Sequence, residues 1–547
     1  VNRRPWLNTY PGDLSRRTTP GSESMLELFA TTVSKFPDRT AIAYFDGAVS
    51  FRDLDQRSDA LAIALTEGGF AAGDRLALYT QNNPAFVVGL LAAWKAGGIA
   101  VLINPMNKAR ELSHLLGDSG ATALLSLDDL YVSVAREVLD GGQTEVRQVF
   151  VASARDDQKR DDERVIPVAE QPAVSGALRL TDVFARHSDR RPAPVSGKPE
   201  KAAVLTYTSG TTGVPKGAIN THGNLAFNTH TYREWMKLDQ DDVVLGIAPL
   251  FHITGLVGHV CVSLVVGSKL VLAHRFNGRV VLDAIREHRP TFTVGAITAF
   301  NHLSGLPGAT KDDFASLRAV YSGGAPIAPR LRDKIRARTG MDIHNCYGMT
   351  ETTSPTHAVP LGVAAPVDPD TGALSIGVPV FNTSVRVIDD DGTDLPPGEA
   401  GELVVSGPQI TPGYWNKPAE TAEKLVDGEL HTGDIGLMDE DGWFYLVGRK
   451  SDMIIASGYK VWPREVEDVL LGHPAVREAA VIGVPHEYRG QTVKAFVSLQ
   501  PGRTTSPDAL IVFCKDRLAA YKYPRVVEIV DELPRSPAGK ILRRELR

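Results

Sequence analysis

Between Ala41 and about Asn345, short β-branched runs alternate with longer stretches of helical period, and this alternation restricts the fold more than any other feature of the chain. "RLALYT" precedes "PAFVVGLLAAWKAG", "VVLGIAP" precedes "TGLVGHVCVSLV", and "SKLVLA" precedes "RVVLDAIREH", with "FTVGA" after it. Repeats of this kind form βαβ units, with largely parallel sheets and helices on their faces. A chain of 547 residues exceeds one ordinary core; at about 150 residues per unit it divides into two to four. The polar, poorly periodic "ASARDDQKRDDERVIPVAEQPAVSG" is expected to be a surface excursion whose charges form a solvated face.

After about Pro360 the texture changes. "SVRVIDDDGTDLPPGEAGELVVSGP" alternates in period two between Asp-Gly and Pro-Gly turns, as antiparallel strands do. Beyond "YLVGRKSD" comes a compact segment with strand "MIIAS", helix "PREVEDVLLG", strands "REAAVIGVP" and "VKAFVSLQ", and helix "SPDALIVFCKDRLA". The expected fold class is therefore α/β. A large N-terminal domain, 1–450, has a βαβ body to about 360 with mostly parallel sheets and a small β-rich section over 361–450. A small mobile α+β C-terminal domain, 451–547, follows the polar "GRKSD".

Hydrophobic content of 43%, charged content of 23% and a net charge of −6 fit a globular enzyme and exclude binding to nucleic acid through a basic surface. Cys261, Cys346 and Cys514 are widely spaced, with no metal-ligand pattern, which points to a reducing cytoplasm. The first residues, "VNRRPWLNTYPGDLSRR", lack the apolar run of a signal peptide. "LVGHVCVSLVVGSKLVLA", Leu256 to Ala273, is broken by His259, two glycines and Lys269, so a buried helix followed by a strand is expected in place of a membrane span. A transient contact with a membrane surface and a homodimer stay open.

"YTSGTTGVPKG", Tyr207 to Gly217, follows the strand-like "AAVLTYT". It fails the Walker pattern, because Lys216 is preceded by Pro215 and followed by Gly217. Its chemistry still suits an anion. Gly210 and Gly213 let backbone N–H groups converge, Thr208, Ser209, Thr211 and Thr212 add neutral donors, and Lys216 adds charge. No G-x-S-x-G elbow of a serine hydrolase is present.

This loop resembles the signature loop of the adenylate-forming superfamily, which includes acyl-CoA synthetases, firefly luciferase and the adenylation domains of peptide synthetases. The resemblance runs along nearly the whole chain and in the family's order: "APLFHITGL", "YSGGAP", "NCYGMTETT", "HTGDIG", "GRKSDMIIASGYKVWPREVE" and "PRSPAGKILRREL". The opening "SMLELFATTVSKFPDRTAI" is similar to that of fatty acyl-CoA ligases.

The resemblance implies a ligase that joins a small-molecule carboxylic acid to AMP and then to a thiol, using ATP, Mg2+ and coenzyme A in fatty acid metabolism. Glu351 would ligate Mg2+ with Thr208, and Thr350 would bond the α-phosphate. Gly324, Ala325 and Pro326 would pack on one adenine face and Tyr347 on the other, with Asn345 and Gly348 completing the nucleotide pocket. Asp434 would accept the ribose hydroxyls, with Arg449 close by. Lys540 would reach between carboxylate and α-phosphate as they react, and Ser457, Gly458 and Tyr459 would line the path of CoA. The hinge, usually Asp or Lys, is Ser451 here.

His252 would orient the substrate carboxylate; a histidine capping a helix start is the competing reading. Acyl-pocket walls would come from Phe251, Thr254, Gly255, Leu256, Thr298, Phe300, Tyr321, Gly323 and Met349, none of them charged, which favours an apolar acyl group. Some long-chain members carry tryptophan where this chain has Leu256, so an aryl acid such as a cinnamate stands beside a medium- or long-chain fatty acid. The small residues Gly255, Ala299, Gly323 and Gly324 leave depth and tilt the reading to fatty acids. Within the fold, an acyl-AMP ligase that loads a carrier protein is the rival; outside enzymes, it is a nucleotide-binding scaffold.

Overall fold

The computed structural model describes residues 4–12, 14, 23–166, 172–195, 197–208, 215–456, 459–486, 490–535 and 541–546, and of residues 459, 460 and 490 the backbone alone. Among the described residues four sheets form. A seven-stranded sheet runs in the order Leu178–Arg179, Gln148–Ala152, Ala123–Leu127, Arg75–Tyr79, Ile99–Leu102, Ala202–Thr208, Lys216–Thr221. Its strands are parallel until the last pair, which is an antiparallel hairpin.

A nine-stranded sheet runs Val378–Pro379, Ser354–Ala358, Ile343–Met349, Ala319–Ser322, Phe292–Gly295, Val243–Leu245, Lys269–Leu272, Thr40–Tyr44, Gly47–Ser50. It is parallel through its centre and antiparallel at both ends. The alternation of strand and helix therefore yields mostly parallel sheets, as expected, two of them, and a hairpin of two strands from the first 50 residues completes the second.

The helix Pro84–Lys95 is buried along its whole length. That explains why its sequence is apolar on every face. Its terminal Lys95 is buried with it and is neutralised there, Nζ lying 2.6 Å from both Asp55 Oδ1 and Asp59 Oδ1. The Leu256–Ala273 stretch is a buried helix, with a π-helical turn at Leu256–Cys261 running into Val262–Val266, and then the strand Lys269–Leu272. Among the described residues no helix is long and apolar enough to cross a membrane.

Most charges of the polar excursion are exposed, as expected, yet the segment is tied down. Arg160 makes a two-pronged ion pair with Glu287 at 2.9 and 3.0 Å, and Arg164 bonds Asp283 at 2.8 Å. Val165 and Ile166 are buried in the main core. Its charges pin the segment to the helix Gly278–His288 while two apolar residues plug it in.

The β-rich section is an antiparallel sheet of Ser384–Ile388, Gly401–Ser406, Glu429–Met438, Leu425–Val426 and Phe444–Arg449. The last sheet holds Tyr459–Val461, Ile454–Ala456, Gly490–Leu499, Val476–His486 and Val526–Ile529, with helices Pro463–Leu471 and Pro507–Lys515. Two apolar clusters of this C-terminal part draw only on residues from Ile454 onward, so it has cores of its own.

Candidate active site

The strands Ala202–Thr208 and Lys216–Thr221 form a hairpin in which Thr208 and Lys216 are paired. Ser209, Gly210, Thr211, Thr212 and Gly213, which join them, lie outside the described residues, as do Ser457, Gly458 and Lys540. The free edge of Lys216–Thr221 is completed from the far end of the N-terminal part. Ile219 N–H donates to Gly413 O at 3.0 Å and Trp415 N–H to Gly217 O at 2.8 Å. Tyr207 ties the other strand to the helix Ala109–Ser119, its hydroxyl donating to Asp118 Oδ2 at 2.7 Å, and Lys417 pairs with the same carboxylate at 3.3 Å. Lys216 Nζ lies 5.5 Å from the centroid of the Tyr414 ring, within cation–π range.

Glu351 sits on a short turn, Thr350–Thr352, directly after the strand Ile343–Met349. The chain then passes through two successive left-handed residues, Thr353 (φ 52°) and Ser354 (φ 84°). Each costs about 1–3 kcal/mol and persists only where its surroundings hold it. Two side-chain amides do so. Asn220 Nδ2 donates to Thr350 O (3.0 Å) and Thr353 Oγ1 (2.9 Å), and Asn228 Nδ2 to Thr352 O (3.1 Å) and Thr353 O (2.6 Å).

The Glu351 carboxylate accepts a 2.6 Å hydrogen bond from Tyr414 Oη, and its backbone carbonyl accepts from Thr411 N–H at 2.8 Å. Burial, and then the Glu351 charge, push the Tyr414 hydroxyl far up, so it stays a donor. A carboxylate with a threonine hydroxyl, Thr208, is an oxygen donor set of the kind a hard divalent ion takes. The donor chemistry thus fits Mg2+ in the role expected of Glu351.

A second carboxylate is fixed on the β-rich sheet. Asp434 is buried, with Oδ2 accepting from Tyr347 Oη at 2.7 Å and Oδ1 paired with Arg449 Nε at 2.9 Å. Asp434 and Arg449 are partners across adjacent strands, which sets the ion pair. The Asp434 charge holds the Arg449 guanidinium up, and burial pushes the Tyr347 hydroxyl far above its ordinary range. Both therefore remain donors. Behind Tyr347 its cross-strand neighbour His357 lies 5.5 Å away, itself 4.7 Å from Phe444.

Gly324, at φ 80° in the left-handed region, turns the chain after the strand Ala319–Ser322 and exposes Pro326, with Ala325 half-buried between them. Asn345 is buried and donates to Ser375 O at 3.1 Å. Ser451 is exposed in the turn Lys450–Asp452. Its neighbours are anchored on opposite sides, Lys450 to Asp390 (3.1 Å) and Glu402 (3.4 Å), and Asp452 to Arg543 (3.3 Å).

His252 caps the helix Ile253–Gly255, its Nδ1 accepting from Thr254 N–H at 3.4 Å, which is the geometry of the competing reading. Phe251, Thr254, Thr298, Gly323 and Met349 are half-buried, whereas Leu256, Phe300 and Tyr321 are buried. The Tyr321 hydroxyl donates to Val359 O at 3.0 Å. Gly255 is small for a reason other than pocket depth: a Cβ there would lie 2.1 Å from Pro249 O. Backbone approach demands that glycine.

Sequence reasoning passed over Asn220, Asn228, Tyr414 and Asp118. Tyr414 and Trp415 follow a Pro-Gly turn, an aromatic pair at a loop end that could have signalled a docking segment; the two asparagines and Asp118 carry no local signal, since their partners lie about 90 to 130 residues away.

Two family models match most of the chain. One described as AMP-binding enzyme matches residues 29–415, and one described as AMP-binding enzyme C-terminal domain matches residues 465–540. A long-chain-fatty-acid–CoA ligase of Bacillus subtilis is 35% identical over 558 aligned residues, covering 100% of this chain and 98% of the relative. A feruloyl-CoA synthase of Amycolatopsis sp is 37% identical, covering 93% of this chain and 96% of the relative. The crystal structure of ATP-bound MatB from Rhodopseudomonas palustris superposes with a TM-score of 0.83 at 29% identity, covering 96% and 98% of the two chains. The chain belongs to the AMP-binding enzyme family, within the adenylate-forming superfamily that holds the acyl-CoA synthetases.

Proposed function

We propose that this protein is an ATP-dependent acyl-CoA synthetase that forms an acyl-AMP and then an acyl-CoA thioester from a medium- or long-chain fatty acid. The observation that carries the reading is that one strand end serves two anchored carboxylates. Tyr347 bonds Asp434, and four residues on, Glu351 is joined through Tyr414 to Lys216. A nucleotide laid along this edge has its ribose at Asp434 and its polyphosphate between Glu351 and Lys216.

A carboxylate is a poor electrophile, because its leaving group would be oxide. In the first step a carboxylate oxygen attacks the α-phosphorus, the bond to the bridging oxygen breaks, and pyrophosphate leaves. In the second the CoA thiolate attacks the acyl carbon and AMP departs with the C–O electron pair. The chain's task is to hold two anions together and spread the charge that grows on the α-phosphate. Thr350 and Lys540 meet that charge, the loop 208–216 holds the two phosphates that leave, and His252 turns the acid toward them. Glu351 and Thr208 would hold Mg2+, which would neutralise phosphate charge when bound.

Residues 1–450 act as the adenylate-forming body and 451–547 as a mobile domain turning at Ser451, a reading supported by the separate apolar clusters and by the anchors on either side of that serine. After the turn, Ser457, Gly458 and Tyr459 line the path of CoA. Three buried free cysteines support a cytoplasmic location, and the enzyme works alone or as a homodimer. An aryl acid is the second reading, favoured by Leu256 and by the likeness to a feruloyl-CoA synthase. The test is a panel of fatty, aryl and short acids with ATP, with and without CoA, products read by mass. Fatty acyl-CoA is expected; acyl-AMP that never becomes a thioester would make the protein a carrier-loading ligase, and no acid-dependent pyrophosphate at all would make it a scaffold.

A further inference from the structure

The segment Thr411–Trp415 bridges two parts of the candidate site that the sheets themselves do not connect. Through backbone hydrogen bonds it lies along the edge of Lys216–Thr221 on one side and binds the carbonyl of Glu351 on the other. Tyr414, its fourth residue, is buried, with its ring under the Lys216 ammonium and its hydroxyl 2.6 Å from Glu351 Oε1. Its own N–H is taken by Thr421 Oγ1 at 3.0 Å, so its backbone is fixed independently of both contacts. Among the described residues the Glu351 carboxylate has no other hydrogen-bond partner.

We propose that Tyr414 is a positioning residue: it fixes the Glu351 carboxylate for Mg2+ and holds Lys216 beside it, so that metal and loop cation meet the same polyphosphate. The inference rests on the proposed function. A carboxylate on a short turn can rotate about its side-chain torsions, and a phenol locked on one oxygen leaves the other turned toward a ligand. The ring face meanwhile holds the ammonium near that ligand without neutralising it, which a carboxylate partner would do. The two contacts separate chemically, because phenylalanine keeps the ring and loses only the hydroxyl.

The experiment uses the full chain and the variant Tyr414→Phe. Mg2+ dependence of acid-dependent pyrophosphate release is measured at saturating ATP, and Mn2+ binding is followed by electron paramagnetic resonance with an unreactive ATP analogue present. Both constants are expected to weaken about tenfold, the loss of one hydrogen bond to a charged group, while KM for the acid stays the same. In the Glu351→Gln background Tyr414→Phe is expected to add no further loss of Mn2+ binding, since the hydroxyl acts through that carboxylate. A variant that lowers kcat and thermal stability but leaves both metal constants where they were has a packing tyrosine only, and the proposal falls. So does an undiminished effect in the Glu351→Gln background. If the wild type itself releases no pyrophosphate with any acid, the failure is that of the proposed function, and unchanged Mn2+ binding in Tyr414→Phe still overturns the inference separately.

Discussion

Tyr347 donates a 2.7 Å hydrogen bond to Asp434 across 87 residues, joining the end of a parallel strand in the main body to the β-rich sheet. With Arg449 on the other oxygen, the carboxylate is held on both sides in a buried setting. Tyr347→Phe removes one charge-assisted bond and keeps the ring. It is expected to raise KM for ATP about tenfold, with KM for the acid unchanged in steady-state assays.

Asp434→Ala goes further, because it leaves the Arg449 charge uncompensated where only a third of its side chain is exposed. Loss of one partner of such a pair costs about 3–5 kcal/mol when both are buried, and less here. Urea unfolding is expected to show a lower midpoint together with weaker ATP binding.

The two half reactions are expected to separate by mutation. Lys540→Ala abolishes acid-dependent pyrophosphate release and still forms thioester from supplied acyl-AMP and CoA. Gly458→Leu does the reverse. An unimpaired first step in the lysine variant, or intact transfer in the glycine variant, would remove that residue from its role.

Gly348→Ala tests how tightly the Glu351 turn is built. A Cβ at Gly348 would lie 2.0 Å from Ser354 O, a backbone atom that cannot move aside as a flexible side chain would. The expected cost is about 1–3 kcal/mol, read as a lower urea midpoint, with a fall in kcat as the strained Thr353 and Ser354 shift.

Acid sensitivity follows from buried neutral histidines. Burial pulls His259 and His357 down to about 3, and His222 and His274 down to about 4, from 6.5. Below pH 6.5 the unfolded chain binds protons that the folded chain refuses, so stability present above that pH is lost as pH falls toward 4 for His222 and His274 and toward 3 for His259 and His357. Each such histidine costs about 1.4 kcal/mol per pH step in that window. The urea midpoint is expected to drop between pH 7 and 5, and His357→Gln to flatten the drop; an unchanged slope would show that this histidine is not the source.

Much of this protein was legible along the chain. Strand–helix alternation determined parallel βαβ sheets, because a strand buried on both faces and a covering helix leave different hydrophobic periods. The period-two stretch after Pro360 announced the antiparallel section. Glu351, Asp434, Arg449 and Lys216 stand in local motifs, and the chain order of those motifs was enough to identify the chemistry.

What the tertiary structure alone decided is long-range. No local signal says that Thr40–Tyr44 closes a sheet against Lys269–Leu272, that Lys95 ends a buried helix between two aspartates, or that the polar excursion is pinned by Glu287 and Asp283. The same holds for Tyr414 on Glu351 and for Asn220 and Asn228 around Thr353. A motif records which side chains stand close in sequence, whereas the groups that hold a strained turn or aim a carboxylate are chosen by packing between strands far apart in it. The sequence by itself determined the family and its reagents; the packing of the β-rich segment onto the body decided how Asp434 and Glu351 are anchored.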